Sequence, residues 1–141
     1  MARILVIDDQ ASVLATIRAI LEFLEHEAVT TTRGHDGIDM LKAEAFDLLI
    51  VDIFMPEMDG IEAIQAVRQH RPSLPIIAMS GSAVVSDGPR TLDFLSMATK
   101  LGAIRSLRKP FKRAELTDAI NACLAETGLR EDVSKPPAGR Q

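Results

Sequence analysis

Short apolar runs alternate along the chain with stretches in which apolar residues recur every three or four positions. The first run, "RILVID" from Arg3, predicts a strand, and Val13, Ile17, Ile20, Leu21 and Leu24 then share one helical face. "AVTTT" from Ala28 is a more polar second strand, as suits a sheet edge, and the helical stretch after it carries Ile38 and Leu41. "DLLIV" from Asp47 leads to a helix with Ile61, Ile64 and Val67. A fourth strand, "PIIAM" from Pro75, is followed by a Gly/Ser/Pro-containing loop, Gly81 to Pro89, and a helix around Leu92, Leu95 and Leu101. "AIRSL" from Ala103 is a short fifth strand before a last helix with Leu116, Ile120 and Leu124.

Strands that each lead into a helix build parallel βαβ units, and continuously apolar strands require helices on both faces. The expected fold is a doubly wound α/β sandwich with a five-stranded parallel sheet. Residues 1–126 form one domain in this reading. Residues 127–141, with two prolines and little periodicity, read as a frayed helix end and a disordered tail.

Composition narrows the function without naming it. A chain of 141 residues with 47% hydrophobic and 26% charged positions buries a full core. Its net charge of −4 lacks the basic footprint of a nucleic-acid binder. Cys123 is the only cysteine, so no internal disulfide forms, and its apolar neighbours predict a buried small hydrophobe in a reducing compartment. The apolar run after Met1-Ala2-Arg3 is too short for a signal peptide or a membrane span, and a cytoplasmic location is the expectation. His26, His35 and His70 lie among charged residues or beside a glycine and read as surface positions.

Ligands of open α/β sheets bind beyond the carboxyl ends of the strands. There the pattern places Asp8 and Asp9 after the first strand, Asp52 after the third, Ser80 after the fourth and Lys109 after the fifth. Taken alone, each has an ordinary account: an acid as helix cap, Ser80 in a turn, Lys109 as a solvated charge. Their coincidence at one sheet edge outweighs those accounts. Three neighbouring carboxylates repel unless a cation sits among them, and an all-oxygen donor set selects Mg²⁺. Cation, ammonium and hydroxyl around a carboxylate make an environment for a phosphoryl group, which an aspartate can itself accept.

With "VIDDQ", "VDIFMPEMDG", "MSGS" and "LRKPF" standing in this order, the chain resembles the CheY-like receiver domain of two-component response regulators from Ala2 to Glu126. The resemblance implies a flavodoxin-like (βα)5 fold with strand order 2-1-3-4-5. It implies that Asp52 is the phospho-acceptor, that Asp8, Asp9, Asp52 and the main-chain carbonyl of Phe54 hold Mg²⁺, that Ser80 is the switch hydroxyl, and that Lys109 contacts the phosphoryl group before a cis bond to Pro110. The implied donor is a sensor histidine kinase or a histidine phosphotransfer protein. Output would pass through a downstream protein or onward transfer, without direct DNA or membrane binding, from a stand-alone receiver that is a signalling protein and not an enzyme with turnover beyond slow self-dephosphorylation. The face of fourth helix, fifth strand and fifth helix often pairs in this family, so a homodimer is one implied state.

Three features depart from the pattern. Ser106 stands where receivers commonly carry an aromatic switch residue, and the segment from Ser80 to Lys109 is longer than usual, with apolar Val84 and Val85 in its loop. Phe54 is large for the position two past the acceptor, where its ring is expected to hinder the water that removes the phosphoryl group. The same position weighs against a different class, the aspartate-nucleophile phosphatases of the haloacid-dehalogenase type, which need a second aspartate there. A purely structural module with a decayed site is the remaining alternative, opposed by the presence of all five site residues.

Overall fold

The computed structural model describes residues 1–55, 58–80 and 105–134. Five strands form one parallel sheet: β1 (Arg3–Ile7), β2 (Glu27–Thr31), β3 (Leu48–Asp52), β4 (Ile76–Ser80) and β5 (Arg105–Arg108), in the order β2-β1-β3-β4-β5. Between them run α1 (Ala11–Phe23), α2 (Gly34–Ala43) and α3 (Gly60–His70), and a C-terminal helix spans Arg113–Ser134. The expected flavodoxin-like order is therefore present among the described residues. The loop Gly81 to Pro89, the helix around Leu92, Leu95 and Leu101, and the tail beyond Ser134 lie outside them, as do Pro56, Glu57, Ala103 and Ile104.

Successive strand side chains point to opposite faces, and the core divides accordingly. Ile4, Val6, Leu48, Ile50, Ile77 and Met79 pack with Leu14, Ile17 and Leu21 of α1 and with Leu116, Ile120 and Cys123 of the C-terminal helix. The alternate set, Leu5, Ile7, Leu49, Val51, Ile76 and Ala78, packs with Leu41 of α2 and Ile64 and Val67 of α3. This is why the central strands read as unbroken apolar runs. Gly37 lets α2 lie close on β1, because a Cβ there would collide with the Ile7 side chain.

Hydrogen bonding moves three strands toward the carboxyl edge relative to the apolar runs. β3 closes on Asp52, β4 on Ser80 and β5 on Arg108, so the polar residues are part of the ladder or one step past it. Asp52 pairs with Met79 and Ser80 with Arg108. His35 lies in α2, which starts at Gly34. One further difference is local. The C-terminal helix continues past Glu126 to Ser134.

At the end of α1 the chain reverses through Glu25 at φ 67°, the left-handed region. The Glu25 N–H donates to Glu22 O at 2.9 Å and the His26 N–H to Leu21 O at 2.9 Å, the paired bonds of a Schellman turn. The turn feeds β2 at Glu27, whose N–H bonds Ala2 O at 2.8 Å.

Candidate functional site

Asp8 and Asp52 are built alike. In each, Oδ1 accepts the backbone N–H two residues on, from Gln10 at 2.9 Å and from Phe54 at 2.8 Å. That turn fixes the side chain and leaves Oδ2 to face the other strand ends. Both residues are buried.

Lys109 fills the space between them. Its N–H donates to Ser80 O at 2.8 Å, which extends the β4–β5 ladder by one residue and fixes where the side chain starts. The next peptide bond, to Pro110, is cis. From there Nζ reaches Asp8 Oδ2 at 2.6 Å and Asp52 Oδ2 at 2.9 Å, so one buried ammonium joins the ends of β1 and β3. Burial lowers the pKa of this lysine, but the two carboxylates outweigh burial and hold it above the ordinary lysine value. For Asp52 burial is the largest influence and pushes its carboxyl up, against the Phe54 N–H and Lys109. An ionised Asp52 is thus a buried group of raised basicity.

Asp9 differs from its neighbour in being exposed. Carboxylate oxygens of Asp8, Asp9 and Asp52 nevertheless lie within 4.8 Å of one another. Three acids against one ammonium keep a negative excess, and the donors are all hard oxygens. Such a set fits Mg²⁺, which binds through one or two carboxylates and keeps several waters; Asp8, Asp9 and Asp52 are the carboxylates that would hold it. Ser80 Oγ is buried at the same edge and is without a hydrogen-bond partner among the described residues.

All five predicted side chains therefore meet at one edge of the sheet. The helix-cap account fails for the acids: the residue before α1 is Gln10, and no side chain caps that helix. Phe54 touches Asp52 through its main-chain N–H, while its half-buried side chain packs toward the α2 and α3 core. It also begins a two-residue antiparallel ladder, Phe54–Met55 with Met58–Asp59, that periodicity does not reveal because it is too short. Ser106 is exposed on β5 beside Ala78. Gln10 carries no role in the sequence reading, yet its side chain reaches Lys109. The one sequence signal for it is an amide directly after the acidic pair, where a capping residue is expected.

Comparison with known proteins converges on the same group. Residues 4–121 match the model of the response regulator receiver domain. The cell cycle response regulator CtrA of Brucella ovis is 32% identical over 120 residues, which cover 85% of this chain and 49% of CtrA. The chain thus spans about half the length of the curated relatives it matches. A CheY-like receiver domain protein of Methanospirillum hungatei superposes with a TM-score of 0.83 at 27% identity, over 92% of this chain and 98% of that one. The beryllofluoride-activated NtrC4 receiver domain dimer gives 0.78 at 27% identity, over 88% and 97%.

Proposed function

Because the chain belongs to the response regulator receiver domain family, a group of phospho-accepting domains of two-component signalling, we propose that Asp52 is its acceptor and that phosphohistidine of a kinase or phosphotransfer protein is the donor. The observation that carries this reading is the single ammonium shared by Asp8 and Asp52. An acceptor carboxylate must be fixed, reactive and surrounded by positive charge where the phosphoryl oxygens arrive. The Phe54 N–H holds one oxygen of Asp52, Lys109 stands at the other, and burial raises its basicity.

In the proposed step an Asp52 oxygen bonds to phosphorus as the bond from phosphorus to the histidine nitrogen breaks, and that nitrogen keeps the electron pair. Lys109 then trades part of its contact with Asp52 for a phosphoryl oxygen. The buried Ser80 hydroxyl, which has no partner among the described residues, supplies a donor to the same group. Asp8, Asp9, Asp52 and the Phe54 carbonyl are the proposed holders of Mg²⁺, which when bound offsets the charge of the acids and of the incoming phosphoryl group. About two added negative charges then shift the balance between two conformations that a partner distinguishes.

Output is proposed to pass through protein contacts or onward transfer, in the cytoplasm, with pairing of two copies as one state. Among the described residues no helix is long and apolar enough to cross a membrane. Phosphotransfer from a phosphorylated histidine phosphotransfer protein, followed as a mobility shift, tests the proposal against the phosphatase alternative. Stoichiometric, Mg²⁺-dependent labelling without turnover of p-nitrophenyl phosphate supports a receiver; sustained turnover of the ester without labelling overturns it.

A further inference from the structure

Gln10 occupies the position that caps α1, with the extended backbone of a cap (φ −97°, ψ 112°), yet its side chain makes no capping hydrogen bond. Asn, Asp, Ser and Thr are the residues that satisfy a helix start from this place. The side chain goes elsewhere: its amide lies 3.4 Å from Lys109 Nζ. An ammonium only donates, so the atom facing it is the carbonyl oxygen. Lys109 has three protons and, among the described residues, three acceptors, Asp8 Oδ2, Asp52 Oδ2 and Gln10 Oε1. The main chain of residue 10 serves the same cluster, because its N–H holds Asp8 Oδ1 at 2.9 Å. Beyond Gln10 and Lys109 opens a cavity of about 340 Å³ that also takes in Ser12, Thr16 and Phe111, so the amide stands where the ammonium meets the outside.

We infer that Gln10 is a positioning residue: by occupying the third proton of Lys109 it holds the ammonium in the orientation that receives a phosphoryl oxygen, and residue 10 gives up helix capping to do so. The inference rests on Asp52 being the acceptor. Its contact is long and made to a charged group, so its removal is expected to cost about threefold in affinity for a phosphoryl mimic. Mg²⁺ affinity is expected to stay, since the link from residue 10 to Asp8 is main chain.

The discriminating variant is Gln10→Asn, one methylene too short to reach Lys109 but a better cap. Binding of beryllofluoride in excess Mg²⁺, and of Mg²⁺ alone, is measured by titration calorimetry on the full chain, with Tm recorded in parallel. The expected result is an about threefold weaker beryllofluoride affinity, Mg²⁺ affinity within about twofold, and a Tm raised by about 2 to 4 °C. Unchanged beryllofluoride affinity in Gln10→Asn overturns the inference, and so does a loss shared equally with Mg²⁺ or accompanied by a lower Tm. Absence of Mg²⁺-dependent binding in the parent protein overturns the acceptor reading instead.

Discussion

Lys109 is the residue on which the acidic edge depends. Replacing it with methionine leaves Asp8 and Asp52 buried and facing each other without a counter-charge, which is expected to cost about 3 kcal/mol in metal-free buffer. Urea unfolding with and without Mg²⁺ checks this: much of the loss should return with the cation, and equal losses in both buffers would place the damage in packing. His26 sets a separate pH dependence. Its Nδ1 accepts the Ala2 N–H at 3.0 Å, and burial, then the N-terminal ammonium, lower its pKa against a smaller opposing pull from Asp47. A lowered folded value means stability present above the unfolded value of about 6.5 and lost as pH falls through the folded one. The urea midpoint should therefore fall more steeply with acid in the parent than in His26→Gln, and parallel slopes would contradict the assignment. For Phe54, replacement by Asn is expected to speed loss of the phosphoryl group severalfold, followed as decay of the labelled protein; equal or slower decay would remove the ring as a barrier to water. The acids, Ser80 and Lys109 were legible because each ends a recognisable strand. Gln10 was not, because its role depends on an approach across the sheet that no local pattern encodes.

At the scale of elements, the strands were readable from their apolar runs, but their ends were not. Apolar pattern stops at the last hydrophobic residue, whereas the ladder of hydrogen bonds runs on through Asp52 and Ser80. That extra residue matters to function, since a side chain inside the ladder is held more rigidly than one in a loop. β2 reads as a polar edge for a physical reason: among the described residues it pairs with β1 alone, and within the strand only Ala28 is buried. The turn after α1 offers a test of element stability. Glu25 sits in the left-handed region that costs a side-chain-bearing residue about 1 kcal/mol or more. Glu25→Gly should recover about 1 kcal/mol and leave the site unchanged, visible as a higher Tm with unaltered Mg²⁺ affinity. A lower Tm would mean that the Glu25 side chain contributes more than its backbone conformation costs.

For the whole molecule, the sheet acts as a rigid frame with a working edge. Two apolar layers hold β1, β3 and β4 together, and three of their four polar end groups, Asp8, Asp52 and Ser80, are buried at that edge. Lys109 completes the edge from β5. The fold class was legible because alternation of strand and helix is written in hydropathy; how a signal leaves the domain was not, because it depends on a difference between two conformations that a hydropathy pattern does not encode. Ser106 is exposed on β5 beside Ala78 and offers a hydroxyl, not a ring, at that face. The most direct measurement is intact-mass and peptide mapping after incubation with acetyl phosphate. One phosphoryl group on Asp52, gained with Mg²⁺ and absent with a chelator or in Asp52→Asn, is the expected result; undiminished labelling of Asp52→Asn, or none of the parent, would contradict Asp52 as the acceptor.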